Sequence, residues 1–235
     1  MTGSAMAQSM VVRSTGPSAS QYPAGKKLPA NAKISLKSGD RVTVLDKNGT
    51  RVLAGPKDYT LDGAVSRDGT ASTQIAGLLQ SSGTRRQRTG ATRSAASGTP
   101  ASTRSPNLWY VDVTRSGKHC VASSDKLIVW RPSMDADMVA QLGNGSGATA
   151  TLGFRRDSHL ALWPDADVPV MTGHSYNITN SDDIVTTVDL VVLPATSDDA
   201  EQVADMLIAN GCTNQLDLMV DTLVSVAAIE ESAGG

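Results

Sequence analysis

Residues 81–106, SSGTRRQRTGATRSAASGTPASTRSP, contain no large apolar side chain. They are mostly Ser, Thr, Ala and Gly, studded with Arg85, Arg86, Arg88, Arg93 and Arg104. Such a segment has too little apolar surface to offset the entropy lost on ordering its backbone. It reads as a disordered basic linker, and the rest of the chain must fold on either side of it. The linker also divides two halves of opposite charge. Residues 1–106 carry 15 Lys and Arg against 5 Asp and Glu, whereas residues 107–235 carry 6 against 18. The formal net charge of −2 conceals this asymmetry.

A chain of 235 residues divided this way has room for two domains. Its 40% hydrophobic content is enough for packed cores, but aromatic residues make up only 3%, so each ring is needed for burial. The 21 glycines, with many Ser and Thr, suit β-structure with frequent turns. The expected fold class is mainly β. A leader remnant or tag (1–9) precedes a small N-terminal β-domain (10–80). The disordered linker (81–106) leads into a C-terminal β-sandwich (107–195). An α-helical hairpin (196–229) is expected to pack on that C-terminal domain. No apolar run approaches the roughly 18 to 20 residues that would span a bilayer.

Between Met10 and Leu61 the pattern is one of short strands. In KISLKSGDRVTVLDKNGTRVL, Ile34 and Leu36 alternate with polar neighbours, and Ser38-Gly39-Asp40 turns the chain. Asn48-Gly49 is a strong hairpin signal because both residues tolerate positive φ. A two-residue loop there would pair Leu45 with Val52, Val44 with Leu53 and Asp46 with Arg51, a consistent set of cross-strand partners; a type I turn with a Gly bulge is the alternative geometry. Gly55-Pro56 ends the second strand. This succession, an apolar strand, then LKSGDRVTVL, a Gly turn and RVLAGP, resembles the periplasmic FecR-type β-domain and related exported proteins of Gram-negative bacteria. The resemblance spans about residues 10–65. It implies a non-catalytic sensing or scaffolding module of the cell envelope, and carries no functional residue onto this chain. The Arg-rich stretch after Leu61 departs from that pattern.

After Pro106 a second β-series begins, with strands expected at 108–114, 119–122, 126–130, 138–142, 149–154, 160–163, 175–178 and 185–193. That number of short strands suggests a sandwich or barrel. The longest, 185–193, is expected to be central. The period then changes. Thr196-Ser197-Asp198-Asp199 offers capping oxygens and acidic first-turn residues. Val203, Met206 and Leu207 share one helical face, and Asn210-Gly211 is a C-cap signal. Leu216, Met219, Val220, Leu223 and Val224 mark a second helix.

Candidate chemistry is sparse. LIVWRP (127–132) and LALWPD (160–165) each place a Trp at the end of an apolar strand, one or two residues before Pro. Trp130, Trp163 and Tyr176 are the candidates for a sugar-stacking platform, with core packing the competing role. His119, His159 and His174 form no HExxH or similar ligand pattern, and Asp157-Ser158-His159 lacks a GxSxG elbow. The pairs Asp135/Asp137 and Asp165/Asp167 lack the Gly and distal Glu of an EF-hand loop. No metal or other cofactor is expected.

Cys120 and Cys212 are the only cysteines, with no CxxC and no Cys/His cluster at zinc spacing. Two buried thiols are one reading. The other is a disulfide joining the second strand of the C-terminal domain to the corner of the helical hairpin, and it depends on compartment. Ala5-Met6-Ala7-Gln8 matches the small-x-small end of a signal peptide, though the charged and apolar regions that should precede it are absent. The match is either the close of a leader or chance. Taken with the paired cysteines and the Ser/Thr-rich β-pattern, the expectation is export to the periplasm or medium, and hence the disulfide.

The function expected from these readings is that of an exported, non-enzymatic envelope protein acting as a binding or scaffolding module. The alternative is a carbohydrate-binding module or accessory protein using exposed Trp130, Trp163 and Tyr176. A hydrolase of unknown type is the third class. The expected partner is an envelope protein. Arg85, Arg86, Arg88 and Arg93 are candidates to meet anionic lipid or glycan. Nucleic acid is not expected, because no aromatic residues interleave these arginines to stack bases.

Overall fold

A computed structural model of the chain describes residues 9–46, 49–61, 78–79 and 104–233. Residues 81–103 of the expected linker, with Arg85, Arg86, Arg88 and Arg93, and the signal-like motif at 5–8 lie outside the described residues; of the linker only Arg104, Ser105 and Pro106 are described, with Ser105 buried. The protein is mainly β, with several sheets and a C-terminal two-helix element. It divides into two compact units. One joins the residues up to Leu78 with those from Ser197 onward, and the other is Leu79–Thr196.

In the first unit, β1 (Ser9–Thr15), β2 (Lys27–Leu28), β4 (Arg41–Asp46) and β5 (Gly49–Ala54) form an antiparallel sheet of order β2-β1-β4-β5. A two-stranded ribbon pairs β3 (Lys33–Leu36) with β6 (Lys57–Thr60). Ile34 and Leu36 alternate with exposed Lys33 and Ser35, as period-two patterning requires. They join Val11, Val42, Val44 and Leu53 in one core. In β1, Met10, Val11 and Val12 are all buried. Unbroken burial of this kind marks a strand covered on both faces.

The β4–β5 hairpin forms, but not in the expected register. Leu45 pairs with Thr50, Val44 with Arg51 and Val42 with Leu53, so Gly49 lies opposite Asp46. Relative to the expected pairing the strands slide by two residues, which keeps every side chain on its own face. The slide puts Val42, fully buried, opposite Leu53. It also leaves Asp46 and Arg51 diagonal rather than opposite, yet they still form an ion pair at 2.9 Å.

Asp40 fastens the turn that precedes β4. Its carboxylate accepts from the main-chain N–H of Ser18 (2.8 Å) and of Lys37 (2.6 Å), and its carbonyl accepts from Gly55 N–H at 2.9 Å. Burial pushes the Asp40 carboxyl up, but the Ser18 and Lys37 bonds outweigh it and hold it below its ordinary value. Gly55 is required where it stands: a Cβ there would lie 1.9 Å from the Lys37 carbonyl oxygen.

The helices are α1 (Ala200–Asn210) and α2 (Thr213–Ala233). Asp199 caps α1, its side chain accepting from Gln202 N–H. Gly211 closes it at φ 72°, in the left-handed region that glycine occupies without strain. The hairpin was expected on the later strands. It belongs instead to the unit of the early ones, where α2 packs on β1 and β5. Arg13 on β1 is the polar anchor. Its guanidinium donates twice to the Asp217 carboxylate, with the Nη2–Oδ1 pair at 2.7 Å, once to the Asp217 carbonyl and once to the Asp221 carboxylate. The two carboxylates sit one helical turn apart, so a single planar fork reaches both. Replacing Arg13 by Met is expected to cost about 1–2 kcal/mol in urea unfolding, with most of the loss absent when Asp217 and Asp221 are both Asn.

In the second unit, β8 (Gly117–Val121), β10 (Met138–Gly143), β11 (Thr149–Phe154), β13 (His174–Thr179) and β14 (Val185–Val192) form a five-stranded sheet of order β11-β10-β13-β14-β8. A smaller sheet, of order β12-β9-β7, holds β7 (Val111–Asp112), β9 (Ile128–Trp130) and β12 (Leu160–Leu162). The inward residues of both sheets, among them Val129, Leu142, Leu152, Tyr176, Val188 and Leu190, share one core. The strand at 185–193 is interior, as expected from its length. β8 joins β14 in parallel, and β7 joins β9 in parallel.

The strand expected over 108–114 shrinks to Val111–Asp112. Asn107 Oδ1 accepts from Trp109 N–H, and Asp112 Oδ1 accepts from Thr114 N–H and Oγ1–H. These two Asx turns bend the chain at both ends. Trp109 is buried in the first of them, its Nε1–H donating to the Leu79 carbonyl at 2.8 Å.

Candidate functional site

The three aromatic residues proposed as a stacking platform are all buried. Trp130 is 2% exposed, Trp163 1% and Tyr176 0%. Trp163 and Tyr176 meet edge to face, with centroids 5.1 Å apart and planes at 88°. Trp163 Nε1–H donates to the Val168 carbonyl at 2.7 Å. The Tyr176 hydroxyl donates to the Pro169 carbonyl at 2.7 Å and accepts from Met171 N–H at 2.8 Å. Trp130 stacks on His159 instead, at 6.1 Å. The polar tips are spent on holding the 163–171 loop, and no ring face is left for a sugar. The expectation of an exposed platform is therefore corrected: with so few aromatics, burial claims them.

The acidic pair Asp135/Asp137 is also used locally. Asp135 Oδ2 accepts from Ser133 Oγ–H, and Asp137 Oδ1 from Arg156 N–H. Among the described residues no group of three or more His, Cys, Asp or Glu gathers to hold a metal ion. Among them, too, no helix is long and apolar enough to cross a membrane.

Two residues that the sequence does not flag are buried and polar. Arg131 is 4% exposed. Its Nε–H donates to the Ser158 carbonyl at 3.1 Å and its Nη2–H to the Arg155 carbonyl at 2.8 Å, with the guanidinium 5.2 Å from the centre of the Phe154 ring. Its main-chain N–H also donates to the His159 carbonyl. Arg131 thus locks the 155–159 loop onto the end of β9. His119 is 1% exposed on β8, and burial pushes its imidazole below the ordinary histidine value.

Cys120 and Cys212 form a disulfide, both fully buried, and no described cysteine is free. Cys120 belongs to β8, one position after His119. Cys212 lies between α1 and α2, where its N–H donates to the Leu207 carbonyl and its carbonyl accepts from Leu216 N–H. The turn that caps α1 with Gly211 therefore also presents the cysteine.

No protein-family model matches the chain, and no curated protein or solved structure matches it.

Proposed function

We propose that this protein is an exported, non-catalytic binding module that works in an oxidising compartment, the periplasm or the medium, and holds a protein partner there. The observation that carries the reading is the buried Cys120–Cys212 disulfide. Structural disulfides persist in oxidising compartments and are rare where glutathione and thioredoxin keep thiols reduced. The bond takes up both cysteines of the chain, which leaves neither thiol for nucleophilic or redox chemistry. The antiparallel layout of residues 9–60 supports the FecR-like reading of the first unit. Burial of Trp130, Trp163 and Tyr176 counts against the carbohydrate alternative.

The test is cell fractionation of the source organism combined with alkylation of thiols in intact cells. The expected result is protein in the periplasmic or secreted fraction, with Cys120 and Cys212 unreactive until a reductant is added, and cross-linkable to an envelope protein. Recovery in the cytosolic fraction with both cysteines alkylated would overturn the proposal.

A further inference from the structure

His119 sits on the inward side of β8, which is an edge strand of the five-stranded sheet. In the parallel register with β14 it lies opposite Leu190. Its Nδ1 is 3.1 Å from the Gly117 carbonyl, on its own strand. A carbonyl only accepts, so Nδ1 carries the proton and Nε2 is the bare nitrogen of the neutral ring. The charged groups around it are Asp112 of β7, Arg115 of the β7–β8 turn and Asp189 of β14. Arg115 and Asp112 are paired with each other at 3.7 Å, and Asp189 accepts from Ser175 Oγ–H. Arg115 offsets the charge of Asp112, whereas Asp189 keeps its charge while accepting from the neutral Ser175 hydroxyl; burial against Leu190 outweighs what the two carboxylates offer a protonated ring.

We propose that His119 makes the start of β8 an acid-sensitive latch, closed on β14 while the ring is neutral and opened over Gly117–His119 when it is protonated. The opening is confined by what flanks it. Cys120 is held by its disulfide, and Val121 accepts from Leu193 N–H at 2.9 Å. On the other side, the turn is fastened to β14 by the Thr187 N–H donating to Ser116 Oγ at 3.2 Å and the Thr186 hydroxyl donating to the Val113 carbonyl at 2.6 Å, both before Gly117. As an edge strand, β8 has a ladder on one side only, so loosening these three residues disrupts no other strand.

The sign follows from burial. The closed state disfavours the charged ring, so the open state takes the proton first as pH falls below about 6.5. Each opening then carries one proton, and the opening equilibrium rises by up to about tenfold per pH unit below that value, until the closed state titrates as well.

Hydrogen exchange of peptides covering 117–121, corrected for intrinsic rate and followed from about pH 7.5 to about pH 5, tests this. The wild type should be flat above about 6.5 and rise below it. A variant with His159→Gln and His174→Gln should keep the rise, and His119→Gln should lose it. A flat wild-type profile, or an equal rise in His119→Gln, overturns the latch. Should His119→Gln fail to fold, NMR titration of the His119 ring in the wild type decides. A midpoint below that of a free histidine supports the latch, and one at or above it overturns the latch.

Discussion

Replacing both Cys120 and Cys212 by Ala is expected to lower the free energy of unfolding by about 4–5 kcal/mol. The bond closes a loop of about 90 residues, and the chain-entropy model assigns its stabilisation mainly to the constraint on the unfolded chain. Urea unfolding should show the effect in two ways. The midpoint should fall in the variant and in reduced wild type alike. The dependence on denaturant should steepen, because an uncrosslinked unfolded chain exposes more surface. Thiol titration of unfolded, unreduced wild type should find no free thiol. A loss under about 1 kcal/mol would mean that the unfolded chain is already compact without the bond.

Trp163→Ala is the second large effect, with an expected loss of about 3–5 kcal/mol. The ring is 1% exposed, lies edge-on to Tyr176 and donates to the Val168 carbonyl. Truncation therefore opens a cavity and leaves a buried carbonyl without its donor. Trp163→Phe should lose less, since it keeps most of the volume and forfeits mainly the hydrogen bond. A sugar-stacking residue would behave oppositely, with stability nearly unchanged and binding lost. Thermal melts of the two variants separate these roles without any ligand in hand.

Much of the fold was legible because it rests on local signals. Ile34 and Leu36 alternate, Asp199 and Gly211 are the cap types their positions need, and 185–192 is long enough to be interior. What was not legible depends on partners distant in sequence. The apolar stripe of Val203, Leu207, Leu216, Met219 and Val220 announces a buried face but does not say what covers it. Asn48-Gly49 announces a turn, yet the pairing of Val42 with Leu53 decides the register of the strands it joins. At 108–114 the β-branched and aromatic pattern was outweighed by Asn107 and Asp112, whose carboxamide and carboxylate bend the backbone.

The candidate site divides the same way. The disulfide could be reasoned from two cysteines and a compartment. Arg131 and His119 could not, since nothing next to them in sequence shows that they are buried. Arg131 finds its acceptors in residues 155 and 158, and His119 is buried on β8 opposite Leu190 of β14.

The order in which the chain visits its two units has a consequence for synthesis. The first unit is discontinuous in sequence, with the whole of the second unit lying between β6 and α1. Its sheet emerges from the ribosome before the second unit, and the helices that pack on β1 and β5 emerge after it. The second unit has its own delay, because β8 must wait for β14 before it can pair. Pairings this distant in sequence form slowly, since loop closure comes before any contact is gained. Neither unit can be completed until its late element has been made, α1 and α2 for the first and β14 for the second. A growing chain with that property stays only partly folded until those late elements emerge, with apolar faces such as that of β1 uncovered in the meantime.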